Sequence, residues 1–228
     1  MIFGGLQRFS LIDYPGELAA IVFTVGCNFR CPYCHNPELV NGTAEKIPES
    51  DVLSFLSKRQ GKLTAVSVTG GEPTLHGKEL LSFIKMVKDL GYKVKIDTNG
   101  TNPELLEILI KEKFIDYIAM DIKAPLDKYS EIVRAKVDIF LIKKSIDLIL
   151  NGEVPYEFRT TVLKGMLGEN DIKEILKIIK GARLYCIQNF ISTKTLDPSF
   201  LNKRGLSKKE LEKLAMLSEK YVNTCEIR

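Results

Sequence analysis

Short runs of β-branched and apolar residues alternate along the chain with longer segments in which apolar positions recur every three to four residues. The short runs are residues 20–25 (AIVFTV), 65–69 (AVSVT), 93–97 (KVKID), 117–121 (YIAMD), 156–162 (YEFRTTV) and 183–190 (RLYCIQNF). Their length and composition predict strands. Between them the helical period appears in Leu80, Ile84 and Val87, in Leu105, Ile108 and Leu109, in Ile142, Ile146, Ile149 and Leu150, and in Ile172, Ile175, Leu176 and Ile179. A first helix is expected near 48–60, carrying Val52, Phe55 and Leu56. A last one is expected near 207–222, with Leu211, Leu214 and Leu217 inward, started by a capping box between Ser207 and Glu210.

Six strands alternating with helices predict an α/β fold in which a parallel sheet carries helices on its outside. Six units are two fewer than a closed eight-fold barrel. A partial (β/α)6 barrel is the expected architecture, and a doubly wound sheet the alternative. In both, functional groups gather at the carboxyl ends of the strands.

Composition narrows the class. The 228 residues are 45% apolar and 27% charged, with a formal charge of +4. This reads as one soluble globular domain spanning 1–228, with no linker, repeat or low-complexity segment. The mild positive balance permits an acidic partner and does not argue for nucleic acid. The pairs Lys143-Lys144, Lys203-Arg204 and Lys208-Lys209 are scattered and read as solvated faces. No apolar run reaches membrane-spanning length, and Arg8, Asp13 and Glu17 interrupt any signal-peptide core. A cytoplasmic location with reduced thiols is expected, so five cysteines suggest metal or redox chemistry.

Three of those cysteines lie in CNFRCPYCHN, spaced as Cys27, Cys31 and Cys34, with His35 directly behind. Thiolates are soft ligands that select iron–sulfur clusters, zinc or copper(I). A [4Fe–4S] cubane uses one thiolate per iron, so three cysteines leave one iron open to a non-protein ligand. Structural zinc with His35 as fourth ligand is the alternative, although adjacent Cys34 and His35 are awkward to aim at one tetrahedral centre. Cys186 and Cys225 are the distant candidates for a fourth ligand; Cys186 falls in a predicted strand and reads as a packed core thiol.

Polar motifs follow the next strands. TGGEPT at 69–74 lacks the phosphate-loop patterns. The carbonyls of Gly70 and Gly71, with the Glu72 carboxylate, would suit an ammonium group; a simple tight turn is the alternative. DTNG at 97–100 places Asp97 at a strand end, where it could accept from ribose hydroxyls or hold a cation. DIK at 121–123 sets a carboxylate and an ammonium at one mouth, or forms a structural ion pair. Arg159 and Gln188 are polar positions within the last two apolar strands. The segment 123–137 is read as a partner-facing loop.

Together these residues resemble a family. Cys27, Cys31, Tyr33 and Cys34, followed by GGEP at 70–73, resemble the radical S-adenosylmethionine (radical SAM) superfamily. CHN at 34–36, DTNG and DIK narrow the resemblance to the glycyl-radical-enzyme activating enzymes, over nearly the whole chain. The run GLQRFSLIDYPGELAAIVFTVGCNFRCPYCHNPEL is most similar to activators of anaerobic ribonucleoside-triphosphate reductase. The resemblance implies that Cys27, Cys31 and Cys34 ligate a [4Fe–4S] cluster whose open iron is chelated by S-adenosylmethionine (SAM). Gly70, Gly71 and Glu72 would meet its amino group, and Tyr33 and His35 would flank its adenine. Asp121, Ile122 and Lys123 would approach the methionyl carboxylate and its surroundings. Asp97, Thr98 and Asp121 would hold a monovalent cation, and Arg159 and Gln188 would join by strand position. It further implies a glycyl-radical enzyme as protein substrate and a low-potential electron donor such as flavodoxin or ferredoxin. With only five cysteines, the chain resembles the short activators that carry a single cluster. A radical SAM enzyme acting on a small molecule, similar to the deazaguanine-forming synthases, and a non-catalytic zinc-binding protein are the alternatives.

Overall fold

The computed structural model describes residues Met1–Arg228. Its elements run β1 (Ile2–Ser10), β2 (Ala19–Thr24), α1 (Pro37–Asn41), β3 (Ile47–Pro48), α2 (Glu49–Ser57), β4 (Ala65–Gly70), α3 (Gly77–Asp89), β5 (Lys93–Thr98), α4 (Pro103–Lys111), β6 (Tyr117–Asp121), α5 (Tyr129–Val133), α6 (Ile139–Leu150), β7 (Tyr156–Val162), α7 (Glu169–Ile178), β8 (Tyr185–Asn189), α8 (Lys208–Ser218) and β9 (Cys225–Ile227). The nine strands form one mostly parallel sheet in the order β3-β1-β2-β4-β5-β6-β7-β8-β9. The expected α/β class is therefore present, and the six anticipated strands are β2 and β4 to β8. No helix is long and apolar enough to cross a membrane.

The chain divides into two compact units. The first comprises Met1–Asn28, Glu38–Thr98 and Asn102–Ile118; the second comprises Phe29–Pro37, Asn99–Thr101 and Ala119–Arg228. In the first, β2 pairs with β4 in parallel from Ala19↔Ala65 to Thr24↔Gly70, and β4 pairs with β5 from Ala65↔Lys93 to Val68↔Ile96. Both faces of these strands are covered, which is why they read as near-continuous apolar runs. Ala19, Ala20, Val22, Ala65, Val66 and Val68 are fully buried. Leu80, Phe83, Ile84 and Val87 of α3 are buried too. Each such side chain contributes about 1.5–3 kcal/mol of burial.

β1 was not expected from the pattern. It pairs antiparallel with β2 and with β3, and its register with β2 shifts at two places. Its sequence, IFGGLQRFS, carries two glycines and a Gln-Arg pair on a largely half-buried or exposed strand, so no alternation shows. A Cβ on Gly4 would lie 2.4 Å from Leu39 Cδ2 of α1, so a larger residue there would have to displace that side chain.

In the second unit β7 pairs with β8 in parallel from Phe158↔Tyr185 to Val162↔Asn189, and β8 pairs with β9 from Tyr185↔Cys225 to Ile187↔Ile227. β9 has only three residues and gave no sequence signal. The Ser207–Glu210 capping box is present and begins α8. Two inward assignments need correction. Ile108 is 44% exposed, and Leu106 takes its place beside Leu105 and Leu109. Leu217 is only half-buried; the buried neighbour is Ser218, whose hydroxyl donates to the Leu214 carbonyl at 2.8 Å. The segment 123–137 is also more ordered than a loop: it holds a 3-10 turn at Leu126–Lys128 and then α5, with Tyr129 and Val133 buried.

Candidate functional site

The first unit supplies Cys27 and the turn after β4. Gly70 has φ near +121°, and a Cβ there would lie 2.3 Å from the Thr24 nitrogen. A Cβ on Gly71 would lie 1.8 Å from the Gly26 carbonyl oxygen. Both positions therefore require glycine, because the atoms in the way are backbone. The same backbones are hydrogen-bonded: Gly71 N–H donates to Thr24 O at 2.9 Å, and Glu72 N–H to Gly26 O at 2.8 Å. The Gly70-Gly71-Glu72 turn thus locks the residue that directly precedes Cys27.

Glu72 is almost fully buried. Its Oε1 accepts from Thr74 N at 3.1 Å, Thr74 Oγ1 at 2.6 Å and Thr98 Oγ1 at 2.8 Å. This carboxylate ties the end of β4 to the end of β5, a structural duty that the sequence did not reveal. Asp97 pairs with the ammonium of Lys95, two residues earlier on the same face of β5 and itself 2% exposed. Lys95 was not among the expected site residues. The spacing K-x-D within an apolar strand was the available signal, since a buried lysine requires a partner.

The second unit supplies the rest of the cysteine loop. Cys31 and Tyr33 are buried and Cys34 is half-buried. Cys34 N–H donates to Cys31 O at 3.0 Å, and Asn36 N–H reaches Cys34 Sγ at 3.5 Å. The Tyr33 hydroxyl is buried beside the Cys31 thiol. Burial pushes its pKa well above the ordinary tyrosine value. His35 Nδ1 lies 2.8 Å from the Lys194 carbonyl, so the proton sits on Nδ1, and its ring stacks on Phe190 at 5.5 Å. Arg30 N–H to Val133 O at 2.8 Å and Asp197 N–H to Pro32 O at 3.0 Å anchor the loop at both sides.

The end of β6 faces this loop within the same unit. Asp121 Oδ1 accepts from Arg159 Nε at 2.8 Å, and Oδ2 accepts from Lys123 Nζ at 3.0 Å. Burial by itself would raise the Asp121 pKa. The Arg159 and Lys123 cations outweigh it and hold the carboxyl well below the usual range. For Lys123, burial opposes the charge. The Asp121 carboxylate, with Tyr33 and Cys31 nearby, nevertheless holds its pKa well above the ordinary value. Burial raises the Cys31 thiol, while the Lys123 charge opposes that rise. Ile122 is fully buried, its N–H donating to Arg159 O at 2.8 Å and its carbonyl accepting from Thr160 Oγ1 at 2.9 Å. Lys123 N–H donates to the Tyr129 hydroxyl at 3.2 Å.

Asp121, Lys123 and Arg159 are therefore brought together. Gln188 lies half-buried in β8, in register with Thr161. Behind Arg159 stands the 1%-exposed Glu157, which accepts from Arg228 Nη1 at 3.1 Å and pairs with Arg228 Nη2 at 3.0 Å. Arg159 Nη1 is 3.8 Å from Glu157. The sequence reading missed Glu157 and Arg228. The E-x-R spacing in β7 was a usable signal for the first, and nothing local marks the second.

Within the second unit Cys31 and Cys34 lie on one short loop, and the Tyr33 hydroxyl, the Asp121 carboxylate and the Lys123 ammonium stand near Cys31, so soft donors of the kind an iron–sulfur cluster takes lie beside groups complementary to a zwitterion. Cys27 and the Gly70-Gly71 turn belong to the first unit. The monovalent cation fits less well, because Asp97 already holds the Lys95 ammonium and Thr98 bonds to Glu72.

The model of the Radical SAM superfamily matches residues 21–182. A Methanocaldococcus jannaschii protein, MJ1227, assigned by its name to the glycyl-radical enzyme activating enzymes, is 37% identical over 228 residues, covering 98% of this chain and 94% of its own. The 7-carboxy-7-deazaguanine synthase of Aquifex aeolicus is 40% identical over 76 residues, 33% of each chain. Among solved structures, Streptococcus suis SuiB bound to S-adenosylmethionine superposes with a TM-score of 0.70 at 16% identity, over 91% of this chain and 49% of that one, which shows a shared fold. The chain belongs to the Radical SAM superfamily and, within it, to the glycyl-radical enzyme activating enzymes.

Proposed function

We propose that the protein installs a glycyl radical in a partner enzyme, with anaerobic ribonucleoside-triphosphate reductase as the target. The observation that carries this reading is the pairing of the Cys31–Cys34 loop with the Asp121–Lys123–Arg159 cluster. A soft-donor site stands beside groups complementary to an amino acid. A [4Fe–4S] cluster on Cys27, Cys31 and Cys34 would supply the low-potential electron, delivered by a reduced flavodoxin- or ferredoxin-type carrier. With SAM bound, the pair would supply reductive cleavage of the C5′–S bond to methionine and a 5′-deoxyadenosyl group that would end as 5′-deoxyadenosine once it had taken the α-hydrogen of the partner's glycine.

The chain's own residues position and shield. Lys123 and Arg159 suit the methionyl carboxylate, and the Gly70 and Gly71 carbonyls suit its ammonium. Tyr33 and His35 suit the adenine as apolar walls with polar edges. Fixing the sulfonium next to the cluster makes electron transfer effectively intramolecular. No step is assigned to a monovalent cation.

The test is anaerobic purification followed by electron paramagnetic resonance. The protein should be brown and bleach under dithionite. With SAM and the reductase it should give a glycyl-radical signal. Colourless protein holding stoichiometric zinc would overturn the reading. SAM cleavage with no radical on the reductase or on other glycyl-radical enzymes would favour a small-molecule substrate, as in the deazaguanine synthases.

A further inference from the structure

Six charged side chains of alternating sign stand in line across the second unit. Lys123 Nζ is 3.0 Å from Asp121, and Asp121 is 2.8 Å from Arg159 Nε. Arg159 Nη1 is 3.8 Å from Glu157, Glu157 is 3.0 Å from Arg228 Nη2, and that same nitrogen is 2.8 Å from Glu226. The sheet builds this line. Arg159 is in register with Cys186 between β7 and β8, and Cys186 with Glu226 between β8 and β9. Residues in register share a face, so Glu157 and Arg159 lie on the face that carries Cys186 and Glu226. Arg228 follows two residues after Glu226. The inner end of the line is Lys123, whose charge acts on Cys31. The outer end, Glu226, is 48% exposed.

Glu157 is the pivot. It is 1% exposed, and a carboxylate so buried has to be balanced by cations. Arg228 balances it with a fork: Nη1 donates to Oε1 at 3.1 Å and Nη2 faces Oε2 at 3.0 Å. Cys186 Sγ lies 3.7 Å from Oε2 and brings a hydrogen without a charge, because burial and then the Glu157 carboxylate push its thiol up to about 12. Arg159 thus stands between two carboxylates, with the shorter contact to Asp121. Arg228 is itself held, by Nε to Glu226 at 3.2 Å and by its backbone N–H to Ile187 O at 2.9 Å. Removing Arg228 strips Glu157 of its fork and leaves the Arg159 guanidinium already within 3.8 Å of it. The buried carboxylate then draws Arg159 towards itself and away from Asp121.

We propose that Arg228 is a positioning residue for the SAM site: by occupying Glu157 it leaves the Arg159 guanidinium to Asp121, and so keeps Asp121, Lys123 and Arg159 in the geometry that receives the methionyl end of SAM. The proposal rests on the reading that these three residues form that site. It adds that a residue behind Glu157, bonded to neither Asp121 nor Lys123, sets the affinity for SAM.

The test is anaerobic titration calorimetry of SAM into the oxidised holoenzyme, where no cleavage occurs, with melting temperatures read on the same samples. Arg228→Gln should weaken SAM binding about tenfold, a coupling of the size seen within one network of charges. Arg228→Lys keeps the charge and loses the fork, so its affinity should fall between that variant and the wild type. Glu157→Gln/Arg228→Gln removes the carboxylate that draws Arg159 away, and should bind SAM to within about threefold of the wild type. Arg159→Met is the reference and should weaken binding at least as much as Arg228→Gln. A merely structural Arg228 would lower the melting temperature and leave the affinity of the folded protein unchanged; that result overturns the proposal. So does a double variant as weak as Arg228→Gln, since Arg228 would then not act through Glu157. Where Arg228→Gln fails to load its cluster, Arg228→Lys takes its place in the comparison. Wild-type affinity in Arg159→Met would refute the placement of SAM beside Asp121 and the proposal with it, whereas a loss in Arg159→Met with none in Arg228→Gln refutes the positioning role alone.

Discussion

Gly71→Ala tests the geometry that holds the cysteine loop. The added Cβ would lie 1.8 Å from the Gly26 carbonyl oxygen and 2.5 Å from its carbonyl carbon. Neither atom can swing away as a side chain can, so the turn and the strand end must part. Overpacking of this kind costs about 1–3 kcal/mol. Parting also weakens the bonds from Gly71 to Thr24 and from Glu72 to Gly26, each about 0.5–1.5 kcal/mol. The sum is roughly 2–6 kcal/mol, a large part of the about 5–15 kcal/mol available to a folded domain. For a chain of this size the melting temperature should fall by about 4–24 °C. Gly91→Ala is the control. Gly91 has φ near +84° with open space around its missing Cβ, so alanine there meets only the left-handed penalty of about 1–2 kcal/mol. The assay is anaerobic thermal melting of both variants, with cluster absorbance read on the same samples. Gly71→Ala should be the less stable variant and should also lose cluster content. Equal melting of the two variants, or a Gly71→Ala protein with full cluster occupancy and wild-type stability, would refute the argument from close approach.

Other expected outcomes are independent of that one. Cys31→Ala should abolish cluster absorbance and SAM cleavage, whereas Cys186→Ala and Cys225→Ala should keep both; iron and sulfide analysis decides. Asp121 has a folded pKa below its unfolded value of about 3.9. Its contribution is therefore present above pH about 4 and is lost as the pH falls through the folded value. Arg159→Met should raise that folded value, so denaturant titrations at neutral and acid pH should show the variant's deficit shrinking as the pH falls; a deficit constant with pH would contradict this. Ser207→Ala removes a cap that accepts from Glu210 N–H and should cost about 1 kcal/mol without affecting SAM cleavage, as read from urea midpoints and product assay.

Legibility in the sequence followed the range of the causes. β2, β4 and β8 could be read because strands covered on both faces become uninterrupted apolar runs. The α8 start could be read because a capping box is a four-residue event. β1 could not, since its Gly-Gly and Gln-Arg residues answer to α1 and solvent and keep no period. Ile108 and Leu106 were exchanged because leucine and isoleucine fill most of α4, leaving the inner face ambiguous by one position. The cysteine loop, the Gly70-Gly71 turn and the Asp121–Lys123 pair were legible as local motifs. What they are tied to was less so. Glu72 depends on Thr98, 26 residues away, and Glu157 depends on Arg228, 71 residues away. Those partners exist only once the strands have been assembled side by side.

In the proposed activity a hydrogen atom moves from a partner's glycine to the nucleoside cleaved from SAM. The direct measurement is mass spectrometry of the 5′-deoxyadenosine formed anaerobically with SAM, a reductant and anaerobic ribonucleoside-triphosphate reductase carrying α-deuterated glycine. Transfer of deuterium into the nucleoside, in step with the growth of the glycyl-radical signal, is the predicted result. Nucleoside formed in quantity with no deuterium, and no radical on the reductase, would contradict the account.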